Sequence, residues 1–317
     1  DECDEAGIDI KDVKHYWYKS DKFSIFAKNK VKTYEQVKDD IVQELNSYSP
    51  VYPKIERTKS KDGHLLVIDP ADPHFGKYAS PSETGHEYNL DVAKERLLGG
   101  VKKILDHSSG FKIDKILFIF GNDALHIDTP HRKTTSGTPQ DTDGQWHEAV
   151  NYAKDSYVNS IETMMQIADV HCLYCPSNHD FSAGFFLADI LKSWFRLSDN
   201  VTFDSSIRHR KYFQYHGNMI EADHGDGCKI KDTPMLMATE QPVMWSECEY
   251  RYSYKHHIHH NVKYGDTIGV NIESLRSLSG ADGWHDRNGY ISKPAMQGFV
   301  HSKENGRIAS FSHYYEM

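Results

Sequence analysis

Short apolar runs and longer amphipathic segments alternate from about residue 64 to residue 248. Uniformly apolar runs predict strands buried on both faces, whereas apolar residues at helical spacing predict helices. The predicted strands are LLVID (65–69), KILFIFG (115–121), VHCLYCPS (170–177) and the end of NMIEADHGD (218–226). The predicted helices are 89–107, a segment ending near residue 168, 183–196 and 233–248, the last of which Pro242 kinks or splits. Strands that alternate with helices are typical of an α/β domain.

The two ends of the chain depart from this alternation. Near the C-terminus, 267–275 is strand-like and 298–312 predicts a hairpin. Residues 1–60 contain a segment that predicts a hairpin (HYWYKSDKFSIFAK), an amphipathic helix (TYEQVKDDIVQEL) and a linker with Pro and Ser. We therefore predict an N-terminal appendage and linker over 1–60, whose role no motif indicates, and a main domain over 61–317.

Composition and charge narrow the function classes. The chain has 46 acidic and 37 basic side chains and a formal net charge of −9, which argues against a module that holds nucleic acid through phosphate contacts alone. No segment approaches the run of about 18 apolar residues that a membrane span needs, and the first residues do not resemble a signal peptide. Because the five cysteines are sparse and predict no disulfide framework, we expect a cytoplasmic protein without a membrane partner.

Polar motifs follow the predicted strands. In α/β sheets ligands bind at the carboxyl ends of strands, and histidine, of which the chain has 20, is the commonest side-chain metal ligand. Carboxylate, amide and imidazole groups together suit divalent metal ions. The motifs are Asp72-Pro73-His74, Gly121-Asn122-Asp123, Ser177-Asn178-His179-Asp180, Asp223-His224 and the His-rich run 256–260.

In this order, the DxH, GND, SNHD, single-His and HHIHH motifs resemble those of the calcineurin-like metallophosphoesterase superfamily. Phage-type and DNA-repair-exonuclease-like members are the most similar, and the motifs cover residues 65 to 260. The resemblance implies an α/β fold with a four-layer α-β-β-α sandwich and two mixed β-sheets. It also implies two divalent metal ions, with Mn²⁺ favoured over Zn²⁺, Fe or Mg²⁺, and the host cytoplasm as the location if the protein is phage-encoded.

The resemblance assigns a role to each motif residue. His179 would be the acid that faces the substrate, and Asp180 would fix its tautomer. One ion would be held by Asp72, His74 and His259, the other by Asn178, His224 and His257, and Asp123 would bridge them.

The motifs do not define which residues contact the substrate. Asn122 beside the bridging residue, and Arg132 with Lys133 in the polar loop 131–144, are candidate substrate contacts. His126 and Asp128 are interpreted as solvated or as supporting groups behind the metal ligands. Trp284 and His285 belong either to a functional loop or to a turn with a packed Trp, and the packed side chain is the favoured interpretation.

Two positions depart from the family pattern. The glycine that opens the last motif is His256 here, and the second motif reads GND rather than GD. A non-glycine residue in a tight turn leaves the register of the last motif open, so His256 or His260 could replace one of the named ligands.

The resulting functional hypothesis is a two-metal-dependent phosphoesterase that hydrolyses phosphodiester bonds, as a nuclease or nucleotide phosphodiesterase. A hydroxide shared by the two ions would attack in line while His179 donates a proton. The substrate would then be nucleic acid or a nucleotide, and the oligomeric state is left open. The alternatives are a phosphomonoesterase acting on proteins or small molecules, and a catalytically silent binding scaffold of the same fold.

Overall fold

The computed structural model describes residues 15–22, 24–28, 35, 39, 43, 50–58 and 60–316. The chain divides into two compact units, Asp1–Val51 and Tyr52–Met317. Residues 52–58 thus belong to the second unit, where the Tyr52 hydroxyl donates to Glu162 at 2.7 Å. The functional division at residue 60 stays a prediction.

The described part of the first unit is a hairpin. Strand β1 (His15–Lys19) pairs antiparallel with β2 (Ser24–Lys28), which confirms the hairpin predicted from the aromatic and basic residues here. The helix predicted over 33–45 falls mostly outside the described residues.

The second unit contains strands and helices in alternation for most of its length. Its strands are β3 (His64–Asp69), β4 (Ile113–Gly121), β5 (Asp169–Cys175), β6 (Val201–Asp204), β7 (Lys211–Tyr215), β8 (Asn218–Asp223), β9 (Tyr250–Lys255), β10 (Val262–Thr267), β11 (Val270–Ser274), β12 (Ala295–Ser302) and β13 (Gly306–Tyr314). Its helices are α1 (Pro81–Thr84), α2 (Leu90–His107), α3 (Trp146–Met165), α4 (Phe181–Trp194), α5 (Thr233–Glu240), α6 (Pro242–Glu247) and α7 (Gly283–Arg287), with a 3₁₀ turn at Ile230–Asp232.

These strands form two mixed sheets. The six-stranded sheet has the order β13-β12-β3-β4-β5-β6, with β3 to β6 parallel and β12 and β13 antiparallel. The five-stranded sheet has the order β10-β11-β9-β8-β7, in which β11, β9 and β8 are parallel. Each sheet therefore has a parallel centre, whose carboxyl ends can collect ligand-binding loops.

The buried residues define four layers. Leu65, Val67 and Leu117 from the six-stranded sheet pack against Ile220 and Tyr254 from the five-stranded sheet. The opposite face of the six-stranded sheet is covered by α2, α3 and α4, and α5 contributes Met237 to a cluster on the outer side of the five-stranded sheet. The chain is thus an α-β-β-α sandwich with two mixed sheets, as the sequence analysis predicted.

The structure also corrects the sequence-based elements. The strand predicted over 267–275 is interrupted by a turn at Ile268-Gly269, where Ile268 has a left-handed φ of 51°, so that β10 and β11 form a hairpin. The predicted interruption at Pro242 is confirmed, because α5 ends at Glu240 and α6 begins at Pro242. Among the described residues, none of the helices combines the length and the apolar character required to cross a bilayer.

Gly121, at the end of β4, lies where the ends of β4 and β5 pack closely together. Its φ is +91°, and a Cβ there would lie 2.3 Å from the Cys175 carbonyl oxygen, which is backbone and cannot move aside easily. We expect Gly121→Ala to lower the free energy of unfolding by about 1–3 kcal/mol or more, because strain and a clash act together. Urea unfolding followed by circular dichroism measures this.

The matched control is Gly99→Ala, in the middle of α2, where an added Cβ meets nothing within 4 Å. Alanine is the better helix former, so this variant should be as stable as the parent or up to about 1 kcal/mol more stable. Equal stability of the two variants would show that the β4 end is not constrained as described.

Candidate metal centre

The polar motifs meet where strands of both sheets end. The side chains brought together are Asp72 and His74 after β3, Asn122 and Asp123 after β4, Asn178 and His179 after β5, His224 after β8, and His257 and His259 after β9. The structure therefore assembles residues spread over almost 190 positions of sequence, as the strand-end argument predicted.

The loops that carry these side chains are sharply turned and bonded to one another. The backbone N–H groups of Asp72 and His74 donate to the carbonyl oxygens of Asn122 and Asp123, at 3.1 and 2.9 Å. Left-handed backbone is uncommon outside glycine and clusters at functional sites. Among the described residues, those with left-handed φ around this site are Asp72, His74, Asn122, Asp123, His257 and His259.

Asp72, His74 and His259 form a first ligand group. One ligand atom from each lies within 4.8 Å of the others. The Nε2 atoms of His74 and His259 are 3.2 Å apart, and His259 Nε2 is 3.7 Å from Asp72 Oδ1. Ligands that each lie about 2.1 Å from a shared ion are separated by roughly 3–4 Å, so this spacing suits a metal ion.

Asp123, His224 and His257 form a second ligand group, and Asn178 joins it. His224 Nε2 is 3.2 Å from Asp123 Oδ2, 3.2 Å from His257 Nδ1 and 2.8 Å from Asn178 Oδ1. Asp123 Oδ2 is also 3.8 Å from His74 Nε2 of the first group. The Asp123 carboxylate therefore lies between the two groups, where the resemblance placed a bridging ligand.

Unpartnered oxygens support metal binding independently of the motifs. Asp72 Oδ2 and Asp123 Oδ2 are buried and accept no hydrogen bond, although buried polar groups are normally bonded. Burial, followed by the charges of neighbouring groups, lowers the pKa of His74 and His259 well below the ordinary value, so both imidazoles are neutral, the form that binds metals. These clusters can hold divalent metal ions.

The two carboxyl groups differ in their electrostatic surroundings. Burial raises the pKa of Asp72 to about 7, because the nearby His224 and His256 and the His257 N–H offset only part of the cost of burying its charge. Burial would also raise the pKa of Asp123, but the nearby His224 outweighs it and lowers the pKa below the ordinary value. A cation at the first ligand group would supply the compensation that Asp72 lacks.

His256 lies outside the ligand groups. Its Nε2 lies 2.9 and 3.1 Å from the two carboxylate oxygens of Asp69, and its Nδ1 is 2.7 Å from the Asp223 carbonyl oxygen. Both ring nitrogens are therefore engaged away from the ligand groups. The left-handed backbone falls on His257 and His259, and His256, whose φ is not left-handed, needs no glycine at its position.

His179 lies beside the ligand groups, but Asp180 does not act on it as predicted. His179 Nδ1 is 2.9 Å from the His126 carbonyl oxygen, so Nδ1 carries the proton and Nε2 is left for a substrate. The Asp180 carboxylate instead accepts from the Ser177 hydroxyl at 2.6 Å and the Leu125 N–H at 2.7 Å. The tautomer role proposed for Asp180 is wrong, because a backbone carbonyl fills it.

Asp180 nevertheless supports the centre. The Ser177 hydroxyl that it binds accepts the backbone N–H of Asp123 at 2.7 Å, and the His179 N–H donates to Asp123 Oδ1 at 3.0 Å. The loop after β5 thereby holds both the backbone N–H and the carboxylate of Asp123. This bracing follows from three-dimensional packing, and the sequence carried no signal for it beyond the adjacency of Asp180 to His179.

His126 lies beside the first ligand group and lines the cleft, and with His74 and His179 it forms a third cluster that could hold a metal ion. Its Nδ1 is 3.3 Å from Nδ1 of His74, and its side chain is buried. A hydrogen bond to the far nitrogen of a ligand histidine fixes the orientation of that ring. This agrees with the supporting role considered for His126, whereas Asp128 binds the N–H groups of Ser182 and Ala183 at the start of α4.

The ligand groups open into a cleft of about 1140 Å³, and the predicted substrate contacts do not line it. Asn122 is fully buried and its amide faces His256, while Arg132 and Lys133 are exposed elsewhere on their loop. The sequence could not show which side of the loop faces the centre. The cations that do line the cleft include Arg276, Arg287 and Lys293, which sequence reasoning missed because no motif contains them.

Known structures share a limited likeness with this chain. A single mutant of Vps29 from Entamoeba histolytica is 10% identical, with a TM-score of 0.29 over 80% of this chain and 99% of that chain. Vps29 from Chaetomium thermophilum, complexed with a cyclic peptide, is 10% identical, with a TM-score of 0.30 over 80% of this chain and 96% of that chain. No family model and no curated protein matches the chain. Scores this low carry no activity over to it.

If His257 is a ligand and His260 is not, replacing these two exposed histidines should affect metal binding differently. His257 belongs to the second ligand group, whereas His260 belongs to neither. We expect His257→Ala to weaken Mn²⁺ binding by more than about tenfold. A loss of about tenfold is the smallest one typical of residues that only support a ligand, and a ligand itself should matter more. Equilibrium dialysis with metal analysis measures this. His260→Ala is the control, and equal losses in the two variants would refute the assigned register.

Proposed function

We propose that the chain is a two-metal-dependent phosphoesterase that hydrolyses phosphodiester bonds. The observation that carries the proposal is the position of the Asp123 carboxylate between two ligand groups, 3.2 Å from His224 and 3.8 Å from His74. A metal site with a single structural ion does not need a shared carboxylate of this kind. The filled ligand positions also favour an enzyme over a silent scaffold, in which some of them would be lost.

Two bound divalent ions would supply Lewis acidity and a nucleophile at neutral pH, and mixed oxygen and nitrogen ligands suit Mn²⁺. The residues of the chain provide the remaining functions. His179 lines the cleft and its Nδ1–H is held by a carbonyl oxygen, so its Nε2 is left for the substrate; in the doubly protonated imidazolium form it would donate the Nε2 proton to the leaving oxygen. Asp123 accepts the His179 N–H at its carboxylate and donates its own N–H to the Ser177 hydroxyl, so its carboxylate is held in place before substrate binds.

The cleft favours a diester over a monoester. A phosphomonoester ends in a phosphate group with two negative charges. A site for such a substrate would need a cation that is free to contact that phosphate. Lys77, which lines the cleft, is buried and already engaged by Asp282 at 3.2 Å and the Gly280 carbonyl oxygen at 2.8 Å. The cations Arg287 and Lys293 belong to the cleft wall, where a longer substrate would meet them.

An assay with Mn²⁺ and the purified chain tests the proposal. The substrates are bis-p-nitrophenyl phosphate, p-nitrophenyl phosphate, and single- and double-stranded DNA. We expect metal-dependent hydrolysis of the diester to exceed that of the monoester. Faster hydrolysis of the monoester would favour the phosphomonoesterase, and no turnover of any of these substrates would leave only the scaffold.

Two variants separate metal binding from proton donation. Asp123→Ala should abolish turnover and lower the bound Mn²⁺, since it removes the shared carboxylate. His179→Ala should lower kcat by about 10²- to 10⁴-fold, the range expected for loss of a general acid, while the bound Mn²⁺ is retained. Metal analysis and steady-state kinetics on the same preparations measure both. Full activity in Asp123→Ala would refute the two-metal assignment.

A further inference from the structure

The segment between β11 and β12 forms a wall of the cleft, and the interpretation of Trp284 as a packed side chain is wrong. Trp284 is 64% exposed and Tyr290 is 56% exposed, and both line the cleft. Their ring centroids are 5.6 Å apart at an interplanar angle of 27°. We call this pair the aromatic platform. Two large rings stacked on each other in water, beside a candidate catalytic centre, offer area that a planar ligand can cover.

The platform is tied to the first ligand group. Trp284 contacts the His285 ring at 5.1 Å, and His285 stacks on the metal-ligand candidate His259 at 5.0 Å and 14°. Asp282 binds the His285 side chain at 2.7 Å, and the buried Lys77 binds Asp282 at 3.2 Å. Because a buried ion pair anchors the start of α7, the platform has a set position relative to the centre.

The same wall carries positive charge. Arg276, Arg287 and Lys293 line the cleft, although the whole chain has a net charge of −9. The carboxylates of Glu83, Asp141 and Asp282 also line it; Glu83 lies against Gly283 at the start of α7, and Asp282 is paired with Lys77. Cations beside exposed aromatic rings are the combination that binds a phosphate backbone and its unpaired bases.

We propose that Trp284 and Tyr290 stack an unpaired nucleobase next to the scissile phosphodiester, so that the substrate class is single-stranded nucleic acid. The inference rests on the proposed phosphodiesterase function. Bases inside a duplex are already stacked and paired, so the platform reaches only bases in a single strand. Stacking also accepts any base, because every base has a π-face.

Binding measurements test the platform separately from hydrolysis. The probes are fluorescein-labelled oligothymidylate, an abasic strand of the same length and a duplex, followed by fluorescence anisotropy. Trp284→Ala should weaken binding of oligothymidylate by about tenfold, within the range for loss of one base–aromatic stack, and binding of the abasic strand by less than about twofold. Trp284→Phe should restore most of the loss on oligothymidylate, which also shows that the fold is intact.

Trp146→Ala is the matched control, since Trp146 is 49% exposed and does not line the cleft. Equal weakening of the abasic and thymidylate strands by Trp284→Ala, or duplex binding as tight as single-strand binding, would overturn the platform. Failure of the phosphodiesterase proposal has a different signature, namely strong, Trp284-dependent binding of oligothymidylate without hydrolysis of any phosphate ester.

Discussion

The contact between His256 and Asp69 joins the two sheets at the edge where the ligands collect. Asp69 ends β3 of one sheet, and His256 follows β9 of the other, with its Nε2 at 2.9 and 3.1 Å from the carboxylate oxygens. Burial would lower the pKa of His256, but Asp69 outweighs burial and raises it, which strengthens a charged contact. Each ligand group takes residues from both sheets, so neither group exists unless this edge is closed.

The centre is held in a conformation that the chain would not adopt locally. Left-handed backbone at Asp72, Asp123 and His257 is unfavourable by about 1 kcal/mol or more at each residue, and buried carboxylate oxygens without partners add to this. The apolar packing between the sheets, together with the hydrogen bonds that Ser177 and Asp180 provide, offsets these terms. Bound cations would remove part of the electrostatic term, so metal binding and folding stability are linked.

The sequence predicted the fold and the ligand groups where a local pattern carries the information. Strands such as 65–69 are recognisable because burial on both faces requires continuous apolar residues, but β10 (VKYGDT) is exposed and has no such pattern. The ligand motifs follow the order of the strands, which is a sequence property. The roles of Arg132, Lys133 and Asn122 depend on the direction in which each side chain points, which the sequence does not show. The role predicted for Asp180 is wrong because the His126 carbonyl oxygen, and not Asp180, binds His179 Nδ1.

The two parts of the cleft differ in how they are attached, and this bears on how such a protein can diverge. The ligand loops share backbone hydrogen bonds, as between His74 and Asp123, so a change in one loop disturbs the others. The wall that carries Trp284 is joined to the first ligand loop near its start, where the Ser277 hydroxyl donates to the Asp72 carbonyl oxygen, and is held further along by the Lys77–Asp282 pair. Beyond that anchor the wall meets the ligand groups through the His285 ring, which stacks on His259, whereas Trp284 and Tyr290 are exposed. If the proposed function holds, exposed residues of this wall such as Trp284 and Tyr290 could change with the substrate while the ligand loops are kept.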